Sequence, residues 1–247
     1  AYYRKGKDLI SLRMLPLETG FMSTLVNWAS MRNQGVELAL STRNINTKNF
    51  RWITNFNLAY NENTVLNETV PFNQTTPSRE GYPVSAIFAY KTDGLDKDGY
   101  PVFVAADGTR QSALEFLKLN GAGASSLSAE EQRNRYTYIG SADPLWTGGF
   151  INSFYYRDFD LTVNFAFNLK MYTRTQPTYD PVFFDRGMNI NRDILNRWTP
   201  SNTGSSLPAL MPDNGYRSAE RTNFGEMGTY SMLDTWVKRS DHVRLQS

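Results

Sequence analysis

Asp160-Leu161-Thr162-Val163-Asn164-Phe165-Ala166-Phe167-Asn168-Leu169-Lys170 is the stretch that decides the fold. Leu161, Val163, Phe165, Phe167 and Leu169 fall on one parity, and Thr162, Asn164, Ala166 and Asn168 on the other. A period of two is a strand with one apolar and one small, polar face. Gly35 to Ser41 repeats the pattern, with Val36, Leu38 and Leu40 set against Glu37, Ala39 and Ser41. Length carries the rest of the argument. Soluble strands average about five or six residues, whereas a tilted strand crossing a bilayer needs about nine to eleven. Both segments read as membrane-crossing strands.

Working outward, Asp158 and Phe159 form a tight turn, and Thr147 to Arg157 is the strand before it. Further upstream, Phe50 to Tyr60 sets Phe50, Trp52, Thr54, Phe56, Leu58 and Tyr60 against Arg51, Ile53, Asn55, Asn57 and Ala59. Such a strand, tilted by about 40°, rises roughly 25 to 30 Å, and its aromatic ends match interfacial girdles. Met31 to Arg43 precedes it across a short Asn-rich connection, with Tyr2 to Leu15 as the first strand, Pro16 to Ser30 as a loop, and a sixth strand from Trp236.

The connections then run long, short, long, short, long. The stretches 61–146 and 171–235 are the two longest, far longer than loops in compact soluble domains. Short turns on one side and long loops on the other is the rhythm of an outer-membrane barrel. The sequence therefore predicts an all-β chain forming about six strands of a large antiparallel transmembrane β-barrel, with long extracellular loops containing short helices. Ser128-Ala129-Glu130-Glu131 has the form of a capping box, and Ile190, Ile194 and Trp198 stand at helical spacing before Pro200.

Composition narrows the function. Lys plus Arg number 26 against 24 Asp plus Glu, so no basic field points to nucleic acid. The chain has no cysteine, which removes disulfides and thiolate chemistry. No run of about twenty apolar residues predicts a membrane-spanning helix. Aromatics make up 14% of the residues, which suits a wall with one greasy and one wet face. The opening residues, Ala1 to Gly6, lack the pattern of a signal peptide, and the last residues read as a strand under way, so the chain is expected to be an internal piece.

Several motifs now align with a known family. Asn33-Gln34-Gly35-Val36-Glu37-Leu38, then Phe50-Arg51-Trp52 with Asn57 to Asn61, resembles a passage of the SusC/RagA-type TonB-linked outer-membrane transporters. Tyr3-Arg4 with Asp8-Leu9-Ile10, Gly94-Leu95-Asp96-Lys97-Asp98-Gly99-Tyr100-Pro101, Arg197-Trp198-Thr199-Pro200 and Ser240 to Leu245 are similar to further family passages, in family order. The resemblance implies an energy-coupled importer in the bacterial cell outer membrane, with a barrel of about 22 strands around a plug. It also implies a SusD-like surface lipoprotein on the outer loops, TonB acting through a part absent here, and a glycan or oligopeptide substrate. Residues 1–247 would be a partial barrel domain lacking the plug, the amino-terminal part and the last strands. No cofactor, metal or catalytic activity is implied.

Candidate sites divide into three groups. Glu37, Arg51, Asn55, Asn57, Asn164 and Asn168 sit on the polar parity of their strands and would line the lumen. Tyr90, Tyr100, Phe103, Trp146, Tyr172 and Tyr179 are loop aromatics that can stack on a sugar or a partner protein, or pack the loops' own cores. Asp93, Asp96 and Asp98 suggest a calcium loop, but Gly94 and Ala105 stand where the EF-hand pattern needs acids, so a turn is the expectation. Ser240, Asp241 and His242 hold triad residue types, yet neighbours on a strand point to opposite faces. Glu130 and Glu131 read as the first turn of a helix rather than a paired-acid cleft. Two glycosylation-type triplets, at Asn67 and Asn73, carry no weight. The reading from another class is a soluble all-β carbohydrate-binding module, a sandwich in which the apolar faces point inward.

Overall fold

The computed structural model describes residues 1–15, 17–21, 23–68, 74–184, 187, 189–225 and 228–246. Thr69 and Asn73, which belong to the glycosylation-type triplets, lie outside the described residues.

Thirteen strands are present among these residues. The main sheet holds six, all antiparallel to their neighbours: β1 (Tyr2–Met14), β2 (Ser23–Asn46), β3 (Phe50–Asn67), β9 (Trp146–Tyr156), β10 (Phe159–Leu169) and β13 (His242–Leu245), in that spatial order. Three small sheets carry the others: β4 (Ala86–Tyr90) with β8 (Tyr136–Ser141), β5 (Thr92–Leu95) with β6 (Pro101–Val104) and β7 (Arg110–Gln111), and β11 (Tyr172–Arg174) with β12 (Val237–Arg239). The class is all-β, with four short helices, α1 (Ala113–Phe116), α2 (Ala129–Arg133), α3 (Ser218–Phe224) and α4 (Gly228–Ser231).

Register fixes the two faces, because residues directly opposite in an antiparallel pair point the same way. One rung reads Leu40, Phe56, Phe150, Phe165, Leu245, and the next Leu38, Leu58, Gly148, Phe167, Val243. These form a continuous apolar face. Leu38 and Leu40 are each 53% exposed on it, and no second sheet covers it among the described residues. That corrects the sandwich alternative, which needs this face buried. An aromatic contact marks each end: Trp52 stacks on Phe154 at 5.6 Å near the short turns, and Tyr60 meets Trp146 at 4.8 Å near the long loops.

Both short connections lie at the same end, where the Arg157 N–H donates to the Asn49 carbonyl at 3.3 Å. The second turn is Arg157 and Asp158 rather than Asp158 and Phe159, and Arg157 takes φ of 54° there. Tight two-residue hairpins favour positive φ, which shifts the turn one residue earlier than the hydrophobic pattern suggested.

Strands β2 and β3 outrun their expected ends. Ser23 to Ser30, expected as loop, belongs to β2, and β3 continues past Tyr60 to Asn67. Beyond the Tyr60–Trp146 pair the formerly apolar face turns polar: Gln34 Nε2 donates to Glu62 at 2.9 Å, and Arg32 to Thr64 at 3.4 Å. The ladder persists there without hydrophobic alternation to announce it. The sixth strand divides as well: Trp236 is buried in the loop core, β12 pairs with β11, and only β13 joins the main sheet.

The two long loops share one hydrophobic core. Tyr90, Tyr100, Phe103, Phe116 and Leu117 from the first pack with Val182, Met211, Phe224, Tyr230 and Leu233 from the second. Polar ties reinforce it. Tyr90 N–H donates to the Met232 carbonyl at 2.9 Å, and Thr92 donates to Asp234 from both its N–H, at 3.1 Å, and its hydroxyl, at 2.5 Å. The capping box at Ser128 and Glu131 forms as expected, and a second one, Ser112 with Glu115, opens α1. Between Ile190 and Trp198 the chain makes a 3-10 turn, Arg192–Asn196, capped by the Asn191 side chain, in place of a longer helix.

Candidate functional site

All six polar wall candidates share one face. The register sets Glu37 beside Ala59, Asn57 beside Ala39 and Gly149, Asn55 beside Ser41 and Ile151, Arg51 beside Tyr155, Asn164 beside Ile151, and Asn168 beside Thr147. Small neighbours such as Gly149 and Ala166 keep this surface low. Arg51 lies over the Tyr155 ring at 4.0 Å, Asn164 donates to Gln246 at 3.1 Å, and Asn168 meets His242 at 3.3 Å.

Between the aromatic margins, among the described residues, the apolar face holds a hydrogen-bonded polar cluster. Asn152 Oδ1 accepts from Trp52 Nε1 at 2.9 Å and from Thr54 Oγ1 at 2.7 Å. Without water a lone amide on such a surface would cost several kcal/mol, so the two donors are what make it tolerable.

The loop aromatics separate. Tyr90, Tyr100, Phe103 and Tyr179 are buried in the loop core, which corrects the idea that they offer free stacking faces. Loops of this length need a core of their own, and large rings remove the most surface from water. Tyr179 donates to the Pro208 carbonyl at 2.5 Å, and burial pushes its hydroxyl up to about 12. Trp146 closes the apolar face against Tyr60. Tyr172 alone among the six lines a cavity of about 630 Å³ at the junction of wall and loops.

Asn63 of β3, Tyr138 of β8 and Tyr82 also line that cavity, together with the charged side chains of Asp143, Lys170 and Arg239. The Tyr82 and Tyr138 rings are 4.8 Å apart, and the Tyr172 ring lies so close over Gly140 that a Cβ there would strike it at 2.2 Å. Burial pushes the Tyr138 hydroxyl above its ordinary range, so it remains a donor at neutral pH. Volume and lining fall within the usual range for small-ligand sites.

Asp96 and Asp98 are engaged by an arginine. Arg217 Nη2 lies 2.6 Å from Asp96 and 3.3 Å from Asp98, its Nη1 is 3.6 Å from Glu220, and its guanidinium sits 4.5 Å over the Tyr100 ring. Asp96 also accepts the N–H groups of Asp98 and Tyr100, the turn expected from the sequence. Asp93 turns away to Arg110. Arg217 was not legible in the sequence, since its Asp96 and Asp98 partners lie more than a hundred residues upstream. Burial of Arg217 opposes its charge, yet Tyr216 and Asp96 hold its pKa above the ordinary value.

Ser240, Asp241 and His242 do not converge. Asp241 accepts from Arg239 at 2.6 Å and from the Met171 N–H at 3.2 Å, while His242 contacts Asn168 and, through Nδ1, the Ser240 backbone carbonyl rather than its hydroxyl. Glu131 closes the capping box, where the Ser128 N–H keeps its carboxyl below the ordinary range.

A sheet with one continuous apolar face, a polar face behind it, aromatic contacts at both margins and loops gathered beyond one margin is built to stand between an apolar and a wet phase. Comparisons show what this architecture is similar to. The chain is 27% identical to TonB-dependent receptor P3 of Formosa agariphila over 84% of its length, and 26% identical to TonB-dependent receptor P26 of the same organism over 95%. It spans about a quarter of these relatives, 22% and 24% of their lengths. Its fold matches the structure of the RagAB peptide transporter with a TM-score of 0.68 at 22% identity, over 98% of this chain and 25% of that one. The RagAB peptide importer in its open-open state gives a TM-score of 0.66. No family model matches. In sequence the chain is similar to a stretch of TonB-dependent receptors, and in fold to a quarter of the RagAB peptide transporter.

Proposed function

We propose that this chain forms part of the barrel wall and outer cap of a TonB-dependent nutrient importer in the bacterial outer membrane. The observation that carries the reading is the apolar face. It runs across five strands with its one polar rung hydrogen-bonded internally, it is exposed, and its aromatic margins bracket it as the girdles of a bilayer's apolar band do. Glu37, Arg51, Asn55, Asn57, Asn164 and Asn168 then face the lumen, where a plug and substrate pass. The six strands have open edges at β1 and β13, and the rest of the barrel covers them. Residues 61–146 and 171–235 are the outer loops, the first shortened by the extension of β3 to Asn67 and the second lengthened because β13 joins the sheet only at His242, and their common core gives a SusD-like lipoprotein a firm platform. Import rather than catalysis is the role, with a glycan or oligopeptide as cargo and TonB as the source of energy.

The test is genetic and cellular. The full-length protein should fractionate with the outer membrane, co-purify in detergent with a surface lipoprotein, and lose uptake of its substrate when TonB is deleted. Recovery in the soluble fraction without detergent would overturn the reading.

A further inference from the structure

The cavity under Tyr172 contains a gap in a β-ladder. Asn61 donates its N–H to the Leu145 carbonyl at 3.1 Å, so this residue turns its backbone away from β2. Val65 does the same: its N–H donates to Tyr82 at 2.9 Å, and its carbonyl accepts from Gly81 at 2.9 Å. Register between β2 and β3 is unbroken from Asn61 to Val65. Backbone groups alternate sides along a strand, so Asn63 must aim its N–H and C=O the same way, between the two bonded points. There they meet the cavity, and among the described residues neither group has a partner. The Asn63 side chain is committed elsewhere, since its Oδ1 accepts the Val84 N–H at 2.7 Å.

We propose that this cavity binds a trans secondary amide. Such a group offers one N–H and one C=O, which is the complement of the pair that Asn63 presents. Tyr82, Tyr138 and Tyr172 supply flat apolar faces around it, and Asp143, Lys170 and Arg239, the last paired with Asp241, suit a hydroxyl-rich extension. Two sources carry this chemistry: the acetamido group of an N-acetylated sugar, and a peptide bond. A strand edge that is bonded on both sides of a single free residue admits one amide and no longer run. The inference rests on the import reading for its purpose, but binding at the cavity is measurable without transport.

The experiment uses the full-length protein in detergent and follows tyrosine and tryptophan fluorescence on titration with N,N′-diacetylchitobiose, with cellobiose as its counterpart lacking acetamides, and with N-acetyl-trialanine amide. Two hydrogen bonds predict a preference of about tenfold or more for the amide-bearing ligand. Diacetylchitobiose binding at least tenfold tighter than cellobiose identifies the sugar source; binding of the blocked peptide identifies the peptide source. Asn63→Pro, which removes the N–H from a position where no ladder bond is lost, should abolish the preference. Asn63→Asp keeps both the backbone pair and the acceptor for Val84, and should retain it. Should Asn63→Pro fail to fold, Gly140→Ala provides the second reading, because its Cβ displaces Tyr172 and should weaken binding of the same ligand. Equal binding of diacetylchitobiose and cellobiose with no peptide binding overturns the proposal, as does a preference that survives both Asn63→Pro and Gly140→Ala. Outer-membrane fractionation of the same preparation keeps this outcome separate from the import reading.

Discussion

Leu40→Arg is the substitution that probes the wall most sharply. Leu40 lies opposite Phe56, which lies opposite Phe150 and then Phe165, so it occupies the middle rung of the apolar face. Four residues separate Phe56 from Tyr60, or roughly 13 Å along the strand and about 10 Å of depth once tilt is allowed for. Ile45, opposite Trp52, lies at the other aromatic margin on the same face. Arginine on a lipid-facing strand costs about 2–4 kcal/mol at the bilayer midplane and about 0–1 kcal/mol near the interface. The expected order of destabilisation is therefore Leu40→Arg well above Ile45→Arg. Ser41→Arg, beside Leu40 but on the polar face, should cost little. Guanidinium unfolding of the full-length protein in phospholipid vesicles, followed by tryptophan fluorescence, gives the three values. Equal costs for Leu40→Arg and Ile45→Arg, or a cost for Ser41→Arg matching that of Leu40→Arg, would refute the assignment of faces and depth.

Three further outcomes are expected. Asn152→Ala strands the Trp52 and Thr54 donors and should cost about 2 kcal/mol in the same assay, while adding Thr54→Val should return part of the loss. Arg217→Ala should loosen the contact between the two long loops, read as faster hydrogen exchange in both 94–104 and 217–224, and Arg217→Lys should not restore it, because one ammonium cannot span Asp96, Asp98 and Glu220. Glu220 is buried, and burial raises its carboxyl pKa despite Arg217. A raised folded pKa gives stability that is complete below the unfolded value and lost as pH rises through the folded one. Glu220→Gln should therefore slow exchange in α3 at pH 7 and leave it unchanged at pH 4; slower exchange at both would contradict the sign.

The two-faced sheet was legible in the sequence because its physics is local. Phe165 and Phe167 declare their face within three residues, and the pairing partners repeat the same alternation. Where that contrast disappears, so does the signal: Asn61 to Asn67 is polar on most positions, and only the ladder to β2 reveals it as strand. The loop core was invisible for a different reason. Phe103 lies against Phe224 and Tyr90 beside Leu233, pairings between segments more than a hundred residues apart, and no periodicity reports them. Arg217 belongs to the same category: its acidic partners look like a turn, and the cation that holds them comes from the other loop. The candidate cavity was read only through Tyr172, since its distinctive groups at Asn63 are backbone atoms, which residue identity does not encode.

The most direct test of the central claim is spin labelling of successive single-cysteine variants from Leu161 to Asn168 in the full-length protein, reconstituted in lipid. Collision with oxygen, which partitions into the bilayer, should peak at Leu161, Val163, Phe165 and Phe167. Collision with a water-soluble nickel chelate should peak at Thr162, Asn164, Ala166 and Asn168. Oxygen and nickel profiles that rise and fall together, or nickel access at Phe165 and Phe167, would contradict a wall standing between lipid and lumen.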